Sequence, residues 1–318
     1  MQRRRFIQIL AASVAGFNPA RLTSAQPALE TVTWQGYTLG AEGRLQLYTD
    51  NKASGQDTLR YCFTELQRLE KIFSLYDPHS ELSRLNRYGR LDSPAPEWCA
   101  LLTAANQAYQ LSKGLFDPTV QPLWQLYAQH FKQHPHARTG PARSKIQTAR
   151  TLTGWEHVHY DTDTIQFNRP GMQLTLNGIA QGFITDHIST CLKHAGYSQA
   201  LIELGETRAI GAHPAARPWR IGIKHARQPA TVYEMAELDN QALATSGGYG
   251  SRFSTDGQFH HLFHPRSGYP TTRWSSISVI APTATQADAL STGLCFANAA
   301  EIQQIEHAHP ELSILKQT

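Results

Sequence analysis

The chain has 318 residues, 41% of them hydrophobic and 17% charged. That composition is globular, with length enough for a large core, and it excludes a disordered or fibrous chain. The net charge of +4 includes Arg3, Arg4 and Arg5, and no basic block remains beyond them, which argues against nucleic acid as a partner.

The N-terminus reads MQRRRFIQILAASVAGFNPARLTSAQPA, with a basic start, an apolar run from Phe6 to Phe17 and small residues at Thr23-Ser24-Ala25. Residues 1–25 are therefore expected to be an export signal cleaved after Ala25, with Ala20 and Ala28 as the alternative positions. The apolar run is too short for a permanent anchor, so no membrane span is expected in the mature protein. Arg3-Arg4-Arg5-Phe6-Ile7-Gln8 is similar to the twin-arginine signal, with a basic Sec signal as the alternative, and a periplasmic location follows from either as an expectation. Cys62, Cys99, Cys191 and Cys295 form no CxxC pair, so neither a zinc nor a redox centre is expected. Cys62 and Cys295 fall in apolar helical patterns and read as buried thiols.

Val32 to Tyr48 reads as strand, turn and strand, punctuated by Gly36, Gly40 and Gly43. Gln56 to Phe73 carries an apolar stripe at Leu59, Cys62, Phe63, Leu66, Leu69 and Phe73, the period of an amphipathic helix. Asp77-Pro78 marks a turn, and Ser80 is placed to cap a short helix bearing Leu82 and Leu85. Tyr76 either packs or stacks on an aromatic ligand. Pro94 to Lys113 is a second helix, closed by Gly114. Asp117-Pro118 fixes a rigid turn beside Thr119. Gln129 to Arg143 reads as a polar surface loop, and Lys145 to Leu152 as a short helix.

Trp155 to Asn168 reads as a hairpin, and Met172 to Leu176 as a strand entering a helix that ends at Gly196. A strand, a glycine turn and a helix start make an anion site; equally, Gly178 and Gly182 suit tight helix packing. Neither GxGxxG nor a P-loop is present. Gln199 to Leu204 is a strand, and beyond it Glu206 and Arg208 either pair at the surface or face a ligand. Trp219 to Ile223, Val232 to Leu238, Phe259 to Phe263 and Ser275 to Ala281 are further strands. The third of these sets His260 and His261 on opposite faces. Strands and helices mix rather than alternate strictly, which predicts an α+β fold.

The stretch from Ala242 to Phe296 carries the chemistry. ALATSGG offers glycine backbone and hydroxyls, which suit phosphate oxygens. Thr283 or Thr285 caps a helix on which Asp288 and Thr292, four apart, share a face. A carboxylate and a hydroxyl are hard oxygen ligands that suit Mg²⁺ better than Zn²⁺. The stretch reads either as a metal-assisted site for a phosphate-bearing ligand or as a loop, a strand and an ordinary helix.

FSLYDPHSELSRLN, FDPTVQPL, LTLNGIAQGF, ALIELGETRAIG, WRIGI, ALATSGGY, HHLFHPRSGYP and ADALSTGL follow one another along the chain. Together they resemble the FAD:protein FMN transferases, the ApbE family, from about residue 31 to the C-terminus. The resemblance implies one α+β domain over residues 31–318 that binds FAD. With Mg²⁺ it would move FMN from FAD to a threonine or serine hydroxyl of a target protein and release AMP. Matched by position, the metal would take Asp288, Thr292 and the backbone carbonyl of Gly178 or Ala180. Flavin contacts would come from Leu39, Tyr76, Leu115, Phe116, Asp117, Thr175, Gln181 and Phe263. His261 falls on the family histidine that is a candidate general base.

The implied partner is a flavoprotein subunit of a membrane redox complex. LNGIAQGF, GETRAIG and the export signal are similar to the branch found with nitrous-oxide reductase maturation, whose partner is a membrane flavoprotein with a regulatory role. The chain departs from the family at four positions. Gln181 stands where lysine or glutamate is common, Thr175 where aspartate is common, and His264 replaces the aspartate of the H-x-x-D-P turn. Ser291 replaces a possible extra carboxylate, which would leave Asp288 as the one side-chain carboxylate of the cation site. Two other functions fit the same residues: an exported FAD carrier that leaves FAD intact, and a Mg²⁺-dependent FAD pyrophosphatase.

Overall fold

The computed structural model describes residues 29–38, 41–270 and 273–318; the expected export signal and Leu39 lie outside them. In chain order the chain forms β1 (Glu30–Thr38), β2 (Ala41–Thr49), α1 (Lys52–Phe73), α2 (Glu81–Tyr88), β3 (Arg90–Asp92) and α3 (Glu97–Leu111). There follow α4 (Gln121–Gln133), α5 (Arg143–Arg150), β4 (Val158–Tyr160), β5 (Thr164–Phe167), α6 (Ala180–His194), β6 (Ala200–Glu203) and β7 (Thr207–Ile210). The last elements are β8 (Trp219–Lys224), β9 (Val232–Leu238), β10 (Ala242–Ser246), β11 (Ser276–Ala281), α7 (Ala284–Leu294), α8 (Ala299–Ala308) and β12 (Ser313–Gln317).

Among the described residues the main sheet has the order β1-β2-β6-β7-β10-β11-β12, and each neighbouring pair is antiparallel. Side chains alternate across it, so every strand but the edge strand β1 feeds two cores. One face sends Leu45, Leu47, Ala200, Ile202 and Ile210 into a core with α1, α2, α3 and α6. Further along that face Ala242, Ala244, Ile277, Val279 and Ile314 meet α7 and α8. On the other face Leu201, Ala209 and Leu243 meet Trp219, Ile221, Ile223 and Leu238 of the two-stranded β8–β9 sheet. Burial on both faces covers every residue of β7 and all but Glu203 of β6, polar Thr207 and Arg208 included. Helices on one side of an antiparallel sheet are the expected α+β class. Among the described residues no helix is long and apolar enough to cross a membrane, and all four cysteines are free.

The amphipathic stripe of α1 is buried as expected. The helix starts four residues early, because Asn51 caps it by accepting from the Ser54 amide at 3.1 Å. Ser80 caps α2 in the same way, and Leu82 and Leu85 are buried. Several expectations are corrected. Met172 to Leu176 is extended but joins no strand. Its partners are the Asn86 side chain, which donates to the Leu174 carbonyl and accepts from the Leu174 amide, and the Pro118 carbonyl, which accepts from the Thr175 amide. Phe259 to Phe263 is likewise no strand and makes only the isolated bridges Arg252–His260 and Phe263–Pro270. The polar stretch from Gln129 begins as helix, since α4 runs to Gln133 with Leu123, Tyr127 and Phe131 buried at helical spacing. Thr207 to Ile210 is a strand where the sequence showed only an exit from β6. The C-terminal α8 and β12 also escaped the sequence reading; a capping box between Asn298 and Glu301 starts α8.

Glu203 of β6 faces Arg44 of β2 in the strand register. Burial pushes its carboxyl up to about 7, with Arg44 pulling the other way, and its Oε1 has no hydrogen-bond partner. Unfolded, the same carboxyl ionises near 4.5. The folded chain therefore keeps a proton that the unfolded chain gives up, so stability falls as pH rises from about 4.5 to about 7 and stays lowered above that. Glu203→Gln is expected to be more stable than wild type by about 2–3 kcal/mol near pH 8 and nearly equal to it near pH 4. Urea unfolding at the two pH values checks this; an equal difference at both would remove the explanation.

Candidate active site

A cavity opens where the C-terminal end of β10, the start of α6, one face of α7, β8 and the segments 115–124 and 247–265 converge. Its floor depends on two glycines of the NGIAQGF segment. A Cβ on Gly182 would lie 2.3 Å from the Ala284 carbonyl oxygen, so only glycine lets α6 cross α7 this closely. The Gly182 amide then donates to Asp288 Oδ2 at 3.0 Å. A Cβ on Gly178 would lie 2.8 Å from Thr292 Oγ1, which brings backbone directly against the Thr292 hydroxyl of α7. Asp186 of α6 fixes the other end of the crossing. It accepts from the Ala284 and Thr285 amides and from Thr285 Oγ1. Thr283 is the N-cap of α7. The sequence left two uses open for these glycines; close helix packing is one the structure shows.

Hydroxyls gather around Thr292. Ser246 Oγ, at the end of β10, lies 3.1 Å from Thr292 Oγ1 and 2.8 Å from Ser291 Oγ. Asp288 is 3% exposed. Burial pushes its carboxyl up to about 7, against the opposing pull of the Gly182 amide. Glu206 lies on the same wall, and burial, followed by the charge of Asp288, pushes its carboxyl well above the ordinary range. Its Oε2 has no hydrogen-bond partner. Glu206 and Arg208 do not pair. Arg208 donates to the Ala209 carbonyl and to Asn240 Oδ1, and stands 3.7 Å from Asp186. Asp288 is thus not the one carboxyl on the cavity wall, which Glu206 and Asp117 also line.

Among the described residues no three His, Cys, Asp or Glu side chains cluster as a metal site. The donors present are one or two carboxylates, hydroxyls and backbone carbonyl, a hard oxygen set that fits Mg²⁺ and not Zn²⁺. The orphaned Glu206 oxygen beside a second buried acid is the observation that favours a cation in this cavity.

Part of the cavity lining is aromatic. Trp124 and Phe263 lie there and belong to one apolar cluster with Tyr127 and Phe131. Phe116 is held where a Cβ on Gly293 of α7 would come within 2.8 Å of its own Cβ. Asp117 lines the cavity but is 8% exposed and turned into its own loop, accepting from the Thr119 amide and hydroxyl. Burial raises its carboxyl.

His261 is on the rim formed by the 247–265 segment. Its Nδ1 lies 3.1 Å from the Ser251 carbonyl oxygen. A carbonyl only accepts, so Nδ1 carries the hydrogen and Nε2 holds the lone pair of the neutral ring. His264, in place of the family aspartate, accepts from the Arg266 amide through Nδ1 at 3.2 Å. An aspartate two residues back would cap this turn in the same way, so the turn survives the exchange.

The chain matches the sequence profile of the ApbE family over residues 39–315. The chain belongs to the ApbE family. It is 29% identical over 301 residues to a Chlamydia pneumoniae protein named FAD:protein FMN transferase, covering 90% of this chain and 91% of that one. A Vibrio cholerae protein of the same name is 30% identical over 284 residues, covering 86% and 83%. Among solved structures, the flavin transferase ApbE from Vibrio cholerae superposes with a TM-score of 0.77 at 25% identity, covering 91% and 93%. The ApbE protein from Thermotoga maritima does so at 0.80 and 27% identity, covering 90% and 94%.

The ApbE positions named from the sequence mostly converge. Leu115, Phe116, Asp117, Thr175, Gln181, Phe263, Gly178, Asp288, Thr292 and His261 all line the cavity. Ala180 opens α6, half-buried, and is not on the cavity wall. Tyr76 is 66% exposed and also off the wall, because the Ser74 hydroxyl takes the Tyr76 and Asp77 amides and turns the chain outward. The sequence reading missed Trp124, Tyr249 and Lys224, which line the cavity too. For Glu206 the sequence left surface pairing with Arg208 and a place facing a ligand open; the structure buries it on the cavity wall.

Proposed function

We propose that this chain transfers FMN from FAD to a threonine or serine hydroxyl of a target redox protein and releases AMP. The observation that carries the reading is that one cavity brings His261, Asp288 and Thr292 together with the aromatic side chains of Trp124 and Phe263. The names of the ApbE relatives support it. The aromatic side chains suit a flat apolar ring, and the glycine and hydroxyl groups around Ser246 suit phosphate oxygens. Asp288, Thr292 and the Gly178 carbonyl are the groups that would hold Mg²⁺. Bound there, Mg²⁺ supplies charge neutralisation for the pyrophosphate.

In the transfer, His261 Nε2 takes the proton from the acceptor hydroxyl. The hydroxyl oxygen forms a bond to the FMN phosphorus, and the bond from that phosphorus to the bridging oxygen breaks. The electron pair leaves with AMP. The Ser251 carbonyl holds the ring in the tautomer this needs. The twin-arginine-like N-terminus supports an acceptor on the periplasmic side, such as a flavoprotein subunit of a membrane redox complex.

The test incubates the protein with FAD, Mg²⁺ and a flavin-accepting domain, and follows covalent FMN on that domain by mass spectrometry. Metal-dependent addition, abolished by EDTA, is expected. Free FMN and AMP with no labelled acceptor would make the protein a pyrophosphatase. Tight FAD binding with neither product, on two different acceptors, would make it a carrier.

A further inference from the structure

We infer that Glu206 is a second carboxylate of the cation site, reaching the cation or one of its bound waters through Oε2. The inference rests on the reading of Asp288 and Thr292 as cation ligands. Glu206 stands just before β7, after a turn at Gly205, whose φ of +95° is left-handed. A Cβ on Gly205 would meet the Gln181 side-chain nitrogen at 2.7 Å, so Gln181 of α6 closes over that turn. The turn delivers Glu206 to the wall that Asp288 occupies from α7.

Three observations point from this side chain to a cation. Glu206 is 8% exposed, yet it borders the cavity. The Thr245 amide donates to its carboxylate, while Oε2 has no partner. A buried carboxylate oxygen without a donor is costly, and so are two acids on one wall. Among the described residues, no ion pair within 4.0 Å involves Glu206, and the basic side chains on the wall are Lys224 and His261. A divalent cation satisfies the orphaned oxygen and both charges together. Glu206 thus supplies, from the sheet side of the cavity, the carboxylate that Ser291 does not supply from the helix side.

The test uses the full chain stripped with EDTA and titrated with Mn²⁺, reading free Mn²⁺ by its EPR signal, with Mg²⁺ as competitor. No turnover is involved. Glu206→Gln is expected to weaken Mn²⁺ binding by about tenfold or more, and Glu206→Asp, which keeps the charge, by less. Asp288→Asn is expected to weaken it at least as much as Glu206→Gln. Glu206→Gln with Mn²⁺ affinity within about twofold of wild type, in a chain that unfolds no earlier than wild type, overturns the inference. If Glu206→Gln does not fold, Glu206→Asp carries the same test, and an unchanged affinity there with weakened FAD binding assigns Glu206 to the flavin instead. Loss at Asp288→Asn alone leaves the cation site standing without Glu206. Loss at neither position removes the cation reading of Asp288 itself.

Discussion

Replacing Asp288 by Asn is expected to lower FMN transfer by on the order of a thousandfold, about 4 kcal/mol of transition-state stabilisation, while FAD binding survives. The effect is assigned to charge because the geometry is preserved. Asp288 Oδ2 accepts from the Gly182 amide at 3.0 Å, and an asparagine oxygen can take that bond. The close crossing of α6 and α7 at Gly182 and Ala284 therefore stays intact. The negative charge that would face a cation is lost. Folding itself should not suffer. The native carboxyl is 3% exposed and pushed up to about 7 by burial, so removing its charge relieves a buried site. The check is a pair of measurements on one preparation: flavinylation rate by mass spectrometry and FAD affinity by flavin fluorescence. Equal transfer by Asp288→Asn and wild type would show that the carboxylate has no part in the chemistry. Equal loss of both transfer and FAD binding would make it a binding residue only.

The fold was legible where periodicity or a cap decides structure locally. The α1 stripe, the Ser80 cap and the Thr283 cap are fixed by residues within a turn of where they act. It was not legible where the deciding partner is distant. Met172 to Leu176 has the composition of a strand, but the groups that complete it belong to Asn86 and Pro118. Thr207 to Ile210 is four residues long and buried on both faces, too short to show a period. The site divides in the same way. Asp288 and Thr292 could be paired on one helix face from sequence, whereas Glu206 joins them only through the β6–β7 turn and the sheet order. Nothing in the letters ELGET separates a glutamate that faces water from one that faces a second buried acid. Trp124 was missed because a tryptophan on an amphipathic helix looks the same whether it meets the core or a ligand. His264 shows the converse: a change of residue type that looks disruptive keeps its turn, because the imidazole Nδ1 accepts the same amide.

His261→Ala is expected to reduce transfer by about 10²–10⁴-fold, again with FAD affinity nearly unchanged. An alkyl hydroxyl is a weak nucleophile until its proton is removed, and the imidazole Nε2 is the group on the cavity rim arranged to accept it. The arrangement is set by Nδ1, which donates to the Ser251 carbonyl at 3.1 Å, and by the His261 amide, which donates to the same oxygen at 3.0 Å. One carbonyl thus fixes both the backbone and the tautomer. A structural role predicts something different, because a histidine that only packs should lower stability along with rate. Three readouts separate the two. The unfolding temperature of His261→Ala should stay close to that of wild type. Added imidazole should restore part of the rate to the variant, since it can enter the space left behind and take the proton. The loss should fall on kcat with the KM for FAD little changed, as when a group acting in the transition state is removed. A variant that binds FAD, shows no rescue and loses stability along with rate would place the base elsewhere. The cost of removing His261 would then lie in the loop that Ser251 anchors rather than in the proton transfer.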